Sequence, residues 1–494
     1  MKDIILATIN AKWIHPSLAL RLLKANLGDL EDRVLILEFA LRQSLDEKTE
    51  QLLAALSIPG NRPKVLGLSV SIWNHTATLD LLKYLNKKWN SYCDVNQNTG
   101  IKPVVVLGGP EVSWLPEESE IFCYADYVIR GEGEENFRSL CSDILSGKTA
   151  CTQSAVFINC GKTTVDLDKI KTAYHLYTEE DVQKKLVYVE SSRGCPFSCG
   201  FCQGNKTGKV REFELEPFLE AMEILIDKGT HTFKFLDRSF NTSTDRAIRI
   251  MKFFLERIEN PETEKPPPFC VHFEMFPSRF PPEMKEVIRR FPPGTLRLEL
   301  GIQTFNPYTA SLVKRLTNPE TELEALKFLR SETNAIVHAD LIAGLPGEDF
   351  ESFGAGLDRL WRVMSGTGSH RSQINNSFEI QLGILKCLPG SLIARESEIF
   401  RIKYSAMPPY EVLETGALSA PELDRIKNFA RLWELIVNRN PFPDLVIHLA
   451  PPGENIFERF INLSDKILER FGRNWGLDRN ELKAYCEEHI SLTL

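Results

Sequence analysis

Short apolar runs alternate with amphipathic segments twice along this chain, and that alternation narrows the fold more than any other feature. Within residues 1–150, runs at Ile4–Thr8, Val34–Phe39, Val65–Val70, Val104–Leu107 and Tyr127–Ile129 read as buried strands. Between them, Ser17–Ala25, Ser44–Ala55, Thr76–Trp89 and Glu134–Leu145 carry apolar residues at helical spacing. Strands alternating with helices give a parallel sheet covered on both faces, a doubly wound α/β domain. The pattern returns from about 185 to 400. Its strands are Leu186–Ser191, Thr232–Leu236, Pro268–Phe273, Thr295–Gly301, Ile336–Ile342 and Glu379–Leu385. Its helices are Glu214–Asp227, Thr244–Ile258, Pro281–Arg290, Pro307–Leu312, Pro319–Arg330 and Phe350–Val363. Ligands of such sheets bind at the carboxyl ends of the strands. Residues 151–184 read as a connector with a small hairpin around Cys160-Gly161-Lys162. From 401 to 494 the chain reads as mostly helical, with helices at Glu422–Val437, Pro452–Phe471 and Asp478–Ile490.

The second constraint is Cys195-Pro-Phe-Ser-Cys199-Gly-Phe-Cys202, a C-x3-C-x2-C run just after the first strand of the second set. Three close thiolates hold three irons of a four-iron cluster and leave the fourth iron open to a small molecule. A structural zinc site is the alternative, but zinc takes four ligands, usually in paired halves, and no second half follows nearby. The other eight of the 11 cysteines scatter at 93, 123, 141, 151, 160, 270, 387 and 486. The odd total of 11, the absence of a secretion signal and the lack of framework spacing imply reduced thiols. No apolar run approaches the ~20 residues that cross a bilayer, and the first residues do not form a signal peptide. These features together imply a cytoplasmic protein. A net charge of −8 gives no nucleic-acid surface.

The cysteine triplet resembles that of the radical S-adenosylmethionine (SAM) superfamily. Ahead of it, Gly67-Leu68-Ser69, Gly108-Gly109-Pro110 and Gly131-Glu132-Gly133-Glu134 resemble, in order and spacing, the cobalamin-binding domain that precedes many such cores. The resemblance implies a Rossmann-like cobalamin-binding domain at 1–150, a connector at 151–184, a partial (β/α)6 radical SAM barrel at 185–400 and a C-terminal helical unit at 401–494. It implies three cofactors: a [4Fe–4S] cluster on Cys195, Cys199 and Cys202, SAM on its open iron, and cobalamin. The corrin contacts implied are Ser69, Trp73, Gly108, Gly109, Gly131, Glu132 and Gly133. The D-x-H-x-x-G loop that gives cobalt a histidine elsewhere is absent; His15 and His75 are the nearby imidazoles. For SAM, the implied contacts are Phe201, just before the third cysteine, Asp237 and Glu274 at strand ends, and Gln303 in Leu298-Glu-Leu-Gly-Ile-Gln303. Glu299, Asp340 and the turn Gly344-Leu-Pro-Gly-Glu348 are open between buried structural roles and site roles. No catalytic residue is assigned.

What the resemblance implies about activity is methyl transfer to an unactivated carbon, or to phosphorus, of a small molecule. Cobalamin-dependent radical cyclisation or oxidative rearrangement is the alternative, and a non-enzymatic cobalamin or cluster carrier is a third reading. Methylthiotransfer is disfavoured, because Cys93, Cys123 and Cys141 do not form the extra N-terminal cluster pattern. The partners implied are the small-molecule substrate and an external low-potential electron donor of flavodoxin or ferredoxin type, with neither nucleic acid nor membrane.

Overall fold

In the computed structural model, residues 2–56, 63–95, 101–159, 164–204, 208–259, 269–365, 378–449 and 455–491 are described. They form two units: Met1–Ser191 with Arg211–Lys234, and Ser192–Val210 with Phe235–Leu494.

The first unit begins with β1 (Ile4–Asn10), α1 (Leu18–Ala25), β2 (Val34–Ala40), α2 (Leu45–Leu56), β3 (Val65–Ser69) and α3 (His75–Val95). It continues with β4 (Val104–Gly108), β5 (Tyr127–Arg130), α4 (Glu134–Ser146) and β6 (Val156–Asn159). These strands make one sheet in the order β2-β1-β3-β4-β5-β6, all parallel. Their near-continuous apolar sequences follow from burial on both faces. On one face Leu20, Phe137, Leu140 and Ile144 of α1 and α4 pack on Ile4, Leu6, Val104 and Ile129.

One expectation fails at the end of this sheet. Val156–Asn159 does not fold back as a hairpin strand; it lies parallel beside β5, with Tyr127 opposite Val156 and Arg130 opposite Asn159. The open edge of β5 offers a full ladder, which outweighs the local turn signal. The hairpin tip at Cys160 lies outside the described residues.

A buried ion network ties the start of this unit to its later part. α5 (Glu179–Lys184) opens with a capping box on Thr178. Arg21 of α1, 4% exposed, donates to Glu38 Oε2 at 2.9 Å and to Asp181 Oδ2 at 2.8 Å. Lys185 donates to Asp181 Oδ1 at 2.8 Å. Burial alone raises the Asp181 carboxyl; Arg21 and Lys185 outweigh it and hold it below its ordinary range. Tyr177 under the Arg21 guanidinium donates to the Tyr188 carbonyl at 2.7 Å. The loop after β1 joins the same region, where Leu186 N–H bonds Ile14 O at 3.0 Å. β7 (Val187–Val189) follows directly.

The remaining elements in chain order are β8 (Ser192–Arg193), β9 (Arg211–Glu212), α6 (Leu215–Asp227), β10 (Thr232–Phe235), α7 (Thr244–Glu259), β11 (Cys270–Met275) and α8 (Pro282–Arg290). Then come β12 (Leu296–Gln303), α9 (Pro307–Leu312), α10 (Pro319–Glu332), β13 (Ile336–Ala343), α11 (Phe350–Met364) and β14 (Phe378–Ile384). A second six-stranded sheet has the order β14-β13-β12-β11-β10-β7. β11 to β14 pair in parallel. In β12, Leu296, Leu298, Leu300 and Ile302 are fully buried. Arg297, Glu299, Gly301 and Gln303 alternate with them on the other face.

The C-terminal part comprises α12 (Leu392–Arg395), β15 (Lys403–Tyr404), β16 (Val412–Glu414), α13 (Ala420–Trp433), α14 (Pro443–Leu449), α15 (Ile456–Phe471) and α16 (Arg479–Ser491). α13 runs on as a π-helical stretch, Glu434–Asn438. Trp361, Phe429, Trp433, Phe457 and Phe460 form its aromatic core, with ring centroids 4.9–5.6 Å apart from Phe429 to Phe460 and from Trp361 to Trp433. This part closes the free edge of β14. Asn438 accepts from Ile380 N–H at 3.2 Å and donates to Ile380 O at 3.0 Å, which also accepts from Trp433 Nε1 at 3.0 Å. Such capping removes an unpaired strand edge. Among the described residues no helix is long and apolar enough to cross a membrane.

Candidate functional site

At the carboxyl edge of the first sheet, the chain leaves β1 toward β2 and then crosses back to β3, so a crevice opens between the loops after β1 and β3. Four large apolar side chains stand exposed after three of these strand ends: Trp13 and Ile14 after β1, Leu41 after β2 and Trp73 after β3. Trp73 is 54% exposed. Exposed apolar groups gathered on one edge mark a ligand surface. The loop under Trp73 is rigid. Fully buried Asn74 donates to Ile9 O at 2.9 Å and Ser69 O at 3.2 Å and accepts from Ser71 N–H at 2.8 Å.

The glycines beside it play different parts. At Gly109, φ is +107°, and a Cβ would lie 2.5 Å from Val70 O and 3.2 Å from Ser69 Oγ. No side chain fits there. At Gly108 a Cβ would meet only Ile129 O, at 3.8 Å. That open space is what a broad flat ring needs to approach the backbone, and it fits a corrin. Ser113 Oγ bridges Gly109 O (2.8 Å) and Gly131 N–H (3.1 Å), so the second and third glycine turns are locked together. Gly133 is the residue before α4. Glu132 is engaged within its own unit: it pairs with Arg211 and accepts from Val165 N–H at 3.0 Å. His75 is buried against Glu111, Nδ1 to Oε1 2.9 Å. His15 Nδ1 is hydrogen-bonded to Tyr188 OH at 2.8 Å. Burial, then Lys12 and Lys234, lower the His15 pKa and keep the ring neutral at neutral pH.

In the second unit the three cysteines lie on a loop fixed from several sides. Gly194 sits at φ +97° against the carbonyl of Lys209. Gly200 N–H bonds Val313 O at 2.7 Å, and Gly200 O accepts from Ile393 N–H at 3.1 Å. Phe197 stacks on Phe276 with centroids 4.3 Å apart. Each thiol has its own polar neighbour. Ser239 Oγ is 3.7 Å from Cys195 Sγ, Arg315 Nη1 is 3.8 Å from Cys199 Sγ, and Gly204 N–H points at Cys202 Sγ from 3.2 Å. Burial raises the Cys199 thiol, Arg315 lowers it, and the neighbouring Cys202 and Cys195 raise it further. Arg315 and the Gly204 N–H donate toward sulfur, whereas the Ser239 hydroxyl donates to the Arg238 carbonyl at 2.7 Å; donors aimed at sulfur stabilise thiolates and set cluster potential. The donor set therefore fits an iron–sulfur cluster. Among the described residues no three His, Cys, Asp or Glu side chains stand close enough to share a single metal ion.

The SAM candidates separate into two kinds. Asp237, 1% exposed, accepts from Ser192 Oγ at 2.6 Å and so braces the entry to the cysteine loop. Phe201 is half-buried in the loop, and Glu274 is half-buried toward the end of β11. Gln303 has φ +70°, at the register shift that ends β12. A non-glycine residue held there costs on the order of 1–3 kcal/mol and marks functional sites. Its Oε1 is buried without a hydrogen-bond partner. Such an acceptor fits a polar ligand group. Arg315, which no local pattern singles out, bonds the carbonyls of Gly301 and Ile302 as well as facing Cys199. It ties the Gln303 bulge to the cysteine loop.

Glu348, 2% exposed, lies in the turn after β13 and bonds Thr304, the residue after Gln303, and Ser352. Burial pushes its carboxyl up to about 7 against these hydrogen bonds. A carboxyl with a raised native pKa holds its proton after the unfolded chain has lost it. Stability is therefore greatest below the ordinary carboxyl pKa and falls as pH rises toward 7. The expected loss is about 3 kcal/mol at ~1.4 kcal/mol per unit. Glu348→Gln is expected to flatten that part of the stability profile, measured by urea unfolding between pH 5 and 8; an unchanged slope would refute the assignment.

Comparison with known proteins bears on both units. Residues 4–141 match the B12 binding domain model and residues 189–360 the Radical SAM superfamily model. An uncharacterized methyltransferase of Pyrococcus horikoshii is 27% identical over 277 residues, 52% of this chain and 57% of that one. The cobalamin-dependent radical SAM methyltransferase TokK of Streptomyces tokunonensis is 28% identical over 182 residues, 33% of this chain and 25% of that one. This chain thus spans under two thirds of either relative's length. Among solved structures, the radical S-adenosylmethionine methyltransferase TsrM from Kitasatospora setae, with cobalamin and a [4Fe-4S] cluster bound, aligns with a TM-score of 0.59. The identity is 16%, over 83% of this chain and 79% of that one, so the likeness is one of fold.

Proposed function

This chain belongs to the cobalamin-dependent radical SAM enzymes, and on that premise we propose that it transfers a methyl group to an unactivated carbon, or to phosphorus, of a small molecule. The observation that carries the proposal is the open carboxyl edge around Gly108 and Trp73, kept in the same chain as a three-thiol loop with a polar neighbour at each sulfur. Cofactors do the hard chemistry here: the cluster with SAM supplies a carbon radical, and cobalamin supplies a transferable methyl group. The relatives named as methyltransferases support this outcome over a rearrangement.

The protein's own work is to bind, orient and exclude water. Gly108 lets the corrin lie against the strand end, and Trp73 with Trp13 offers it an apolar face. Asp237, through Ser192, and Arg315 hold the cysteine loop in shape. Gln303 offers its unpartnered amide oxygen to a polar group of SAM. The substrate is a small molecule, and electrons come from an external low-potential donor of flavodoxin or ferredoxin type.

The test is anaerobic reconstitution with iron, sulfide and hydroxocobalamin, then SAM carrying a labelled methyl group and dithionite, with products read by mass spectrometry. 5′-Deoxyadenosine together with S-adenosylhomocysteine is the expected result. 5′-Deoxyadenosine without S-adenosylhomocysteine would replace methyl transfer by cyclisation or rearrangement. Absence of both would reduce the chain to a cofactor carrier.

A further inference from the structure

The segments that brace the cysteine loop are basic, in a chain whose net charge is −8. The loop itself, Ser192–Val210, carries Arg193, Lys206 and Lys209 and no Asp or Glu. Three further segments of the same unit hold it. Val313 O accepts from Gly200 N–H at 2.7 Å, and Ile393 N–H donates to Gly200 O at 3.1 Å. Pro389 O accepts from Gln203 Nε2 at 2.7 Å. At Gly204 a Cβ would stand 3.2 Å from Cys202 Sγ and 3.8 Å from Arg238 Nε. Lys314 follows Val313 directly, and Arg395 is the last residue of α12. The runs 313–318 and 387–395 contain no carboxylate. In the run 237–243 the one carboxylate, Asp237, is buried and accepts from Ser192 Oγ.

Arg238, Lys314 and Arg395 are exposed, and among the described residues none of the three has a carboxylate partner. Glu320, the next carboxylate after Lys314, pairs with Arg359 at 3.5 Å. Glu396 and Glu398 lie beyond Arg395 and are followed by Arg401. Leu316, two residues beyond Lys314, is 67% exposed. All three cysteines are only half-buried, so a surface at this loop stands close to the sulfurs. Like charges gathered on one surface repel one another. Folding gains nothing from them there, whereas an acidic partner is drawn in by their field. An exposed apolar side chain among charges has the anatomy of a protein contact. Electron-transfer encounters are small and weak, so a few cations and one apolar contact suffice for one. A nucleic acid needs many phosphate contacts, which three cations in an acidic chain do not supply.

We propose that the surface formed by Arg238, Lys314, Leu316 and Arg395 beside the cysteine loop is where an acidic electron-carrier protein docks to reduce the cluster. The proposal rests on the reading that electrons arrive from an external donor, and it adds the place and the charge of the docking surface. With a flavin carrier, the anionic hydroquinone gives up one electron and becomes the neutral semiquinone. The oxidised cluster takes up that electron, and no bond or proton moves.

The experiment uses the anaerobic reconstituted holoenzyme and a bacterial flavodoxin, an acidic carrier, photoreduced to its hydroquinone. Cluster reduction is followed by bleaching of the visible absorption, and complex formation with oxidised flavodoxin by calorimetry. Photoreduced 5-deazariboflavin, a small neutral reductant that needs no docking surface, is used in parallel. In K314E/R395E the flavodoxin rate is expected to fall at least about tenfold at about 0.01 M salt, where charges act over long range. The deazariboflavin rate, the iron content and the circular dichroism are expected to match the parent. Raising the salt to about 0.5 M is expected to slow the parent and bring the two proteins within about twofold of each other. K314Q and R395Q, each removing one charge, are expected to fall between parent and double variant, and they cover the case in which the double variant loses its cluster. Rates independent of salt, a flavodoxin rate unchanged in the variants, or binding that survives charge reversal would each overturn the docking surface and leave the external donor in place. Equal loss with both reductants in every variant would make these cations supports of the loop and overturn the proposal as well. A cluster that deazariboflavin reduces and flavodoxin does not would overturn the donor reading and the docking surface together. Tighter binding of an RNA oligonucleotide than of flavodoxin would assign the surface to nucleic acid instead.

Discussion

Cys199→Ala is expected to abolish SAM cleavage and to strip most of the iron from reconstituted protein while leaving the fold in place. Three protein thiolates are the minimum for a cluster with one open iron, so losing one leaves two corners without a protein ligand. Cys199 also carries the strongest local support, with Arg315 Nη1 at 3.8 Å and the backbone around it bonded to Val313 and Ile393. That support is independent of the sulfur, so circular dichroism is expected to match the parent protein. Cys195→Ala and Cys202→Ala are expected to behave alike. The measurement is iron and sulfide content, the visible absorption of the reconstituted protein, and 5′-deoxyadenosine by mass spectrometry. Full iron and full cleavage in any one of the three variants would sink the cluster assignment.

The second large effect is expected at the paired glycines, where neighbouring positions answer differently. Gly108→Leu puts a side chain into open space, since even its Cβ meets nothing nearer than 3.8 Å. Thermal stability is expected to change little, while cobalamin retained after gel filtration falls to background and the cluster spectrum stays intact. Gly109→Val instead forces a β-branched residue to φ +107° with its Cβ 2.5 Å from Val70 O. Strain of roughly 1–3 kcal/mol is expected there, and the loop bearing Trp73 must shift. Gly109→Val is therefore expected to lose both stability and cobalamin. If Gly108→Leu keeps full cobalamin, the corrin does not lie on this edge.

The alternation of apolar runs and amphipathic segments is enough to place every strand of both sheets except β6 to within a few residues, because burial on both faces leaves long uninterrupted Val, Ile and Leu runs. It misread β6, whose four residues pair with β5 rather than with the chain that follows them. The signal for that lies in the vacant edge of a strand some thirty residues earlier, not in Val156–Asn159. It also missed α14, a seven-residue helix between prolines that carries too little periodicity to register. At the site, the cysteine loop and the glycine turns were legible because their chemistry demands fixed local spacing. Their supports were not. Arg315 reaches Cys199 across 116 residues and Ser239 reaches Cys195 across 44. Nothing local marks a lone Arg or Ser as the neighbour of a distant thiol.

The Arg21 network has a bearing on how such chains are assembled by recombination. Arg21 of α1 and Glu38 of β2 belong to the N-terminal half, whereas Asp181 and Lys185 precede the strand that leads into the cysteine loop. A crossover at residue 150 would import a new N-terminal half without Arg21, one of the two cations that pair with buried Asp181, and leave Lys185 as the other. Removing one member of a buried pair costs about 3–5 kcal/mol, a large part of a typical domain's stability. The inherited module is therefore longer than its cofactor: it runs through residue 191, and a lineage can exchange its corrin-binding half only together with the first strand of its neighbour.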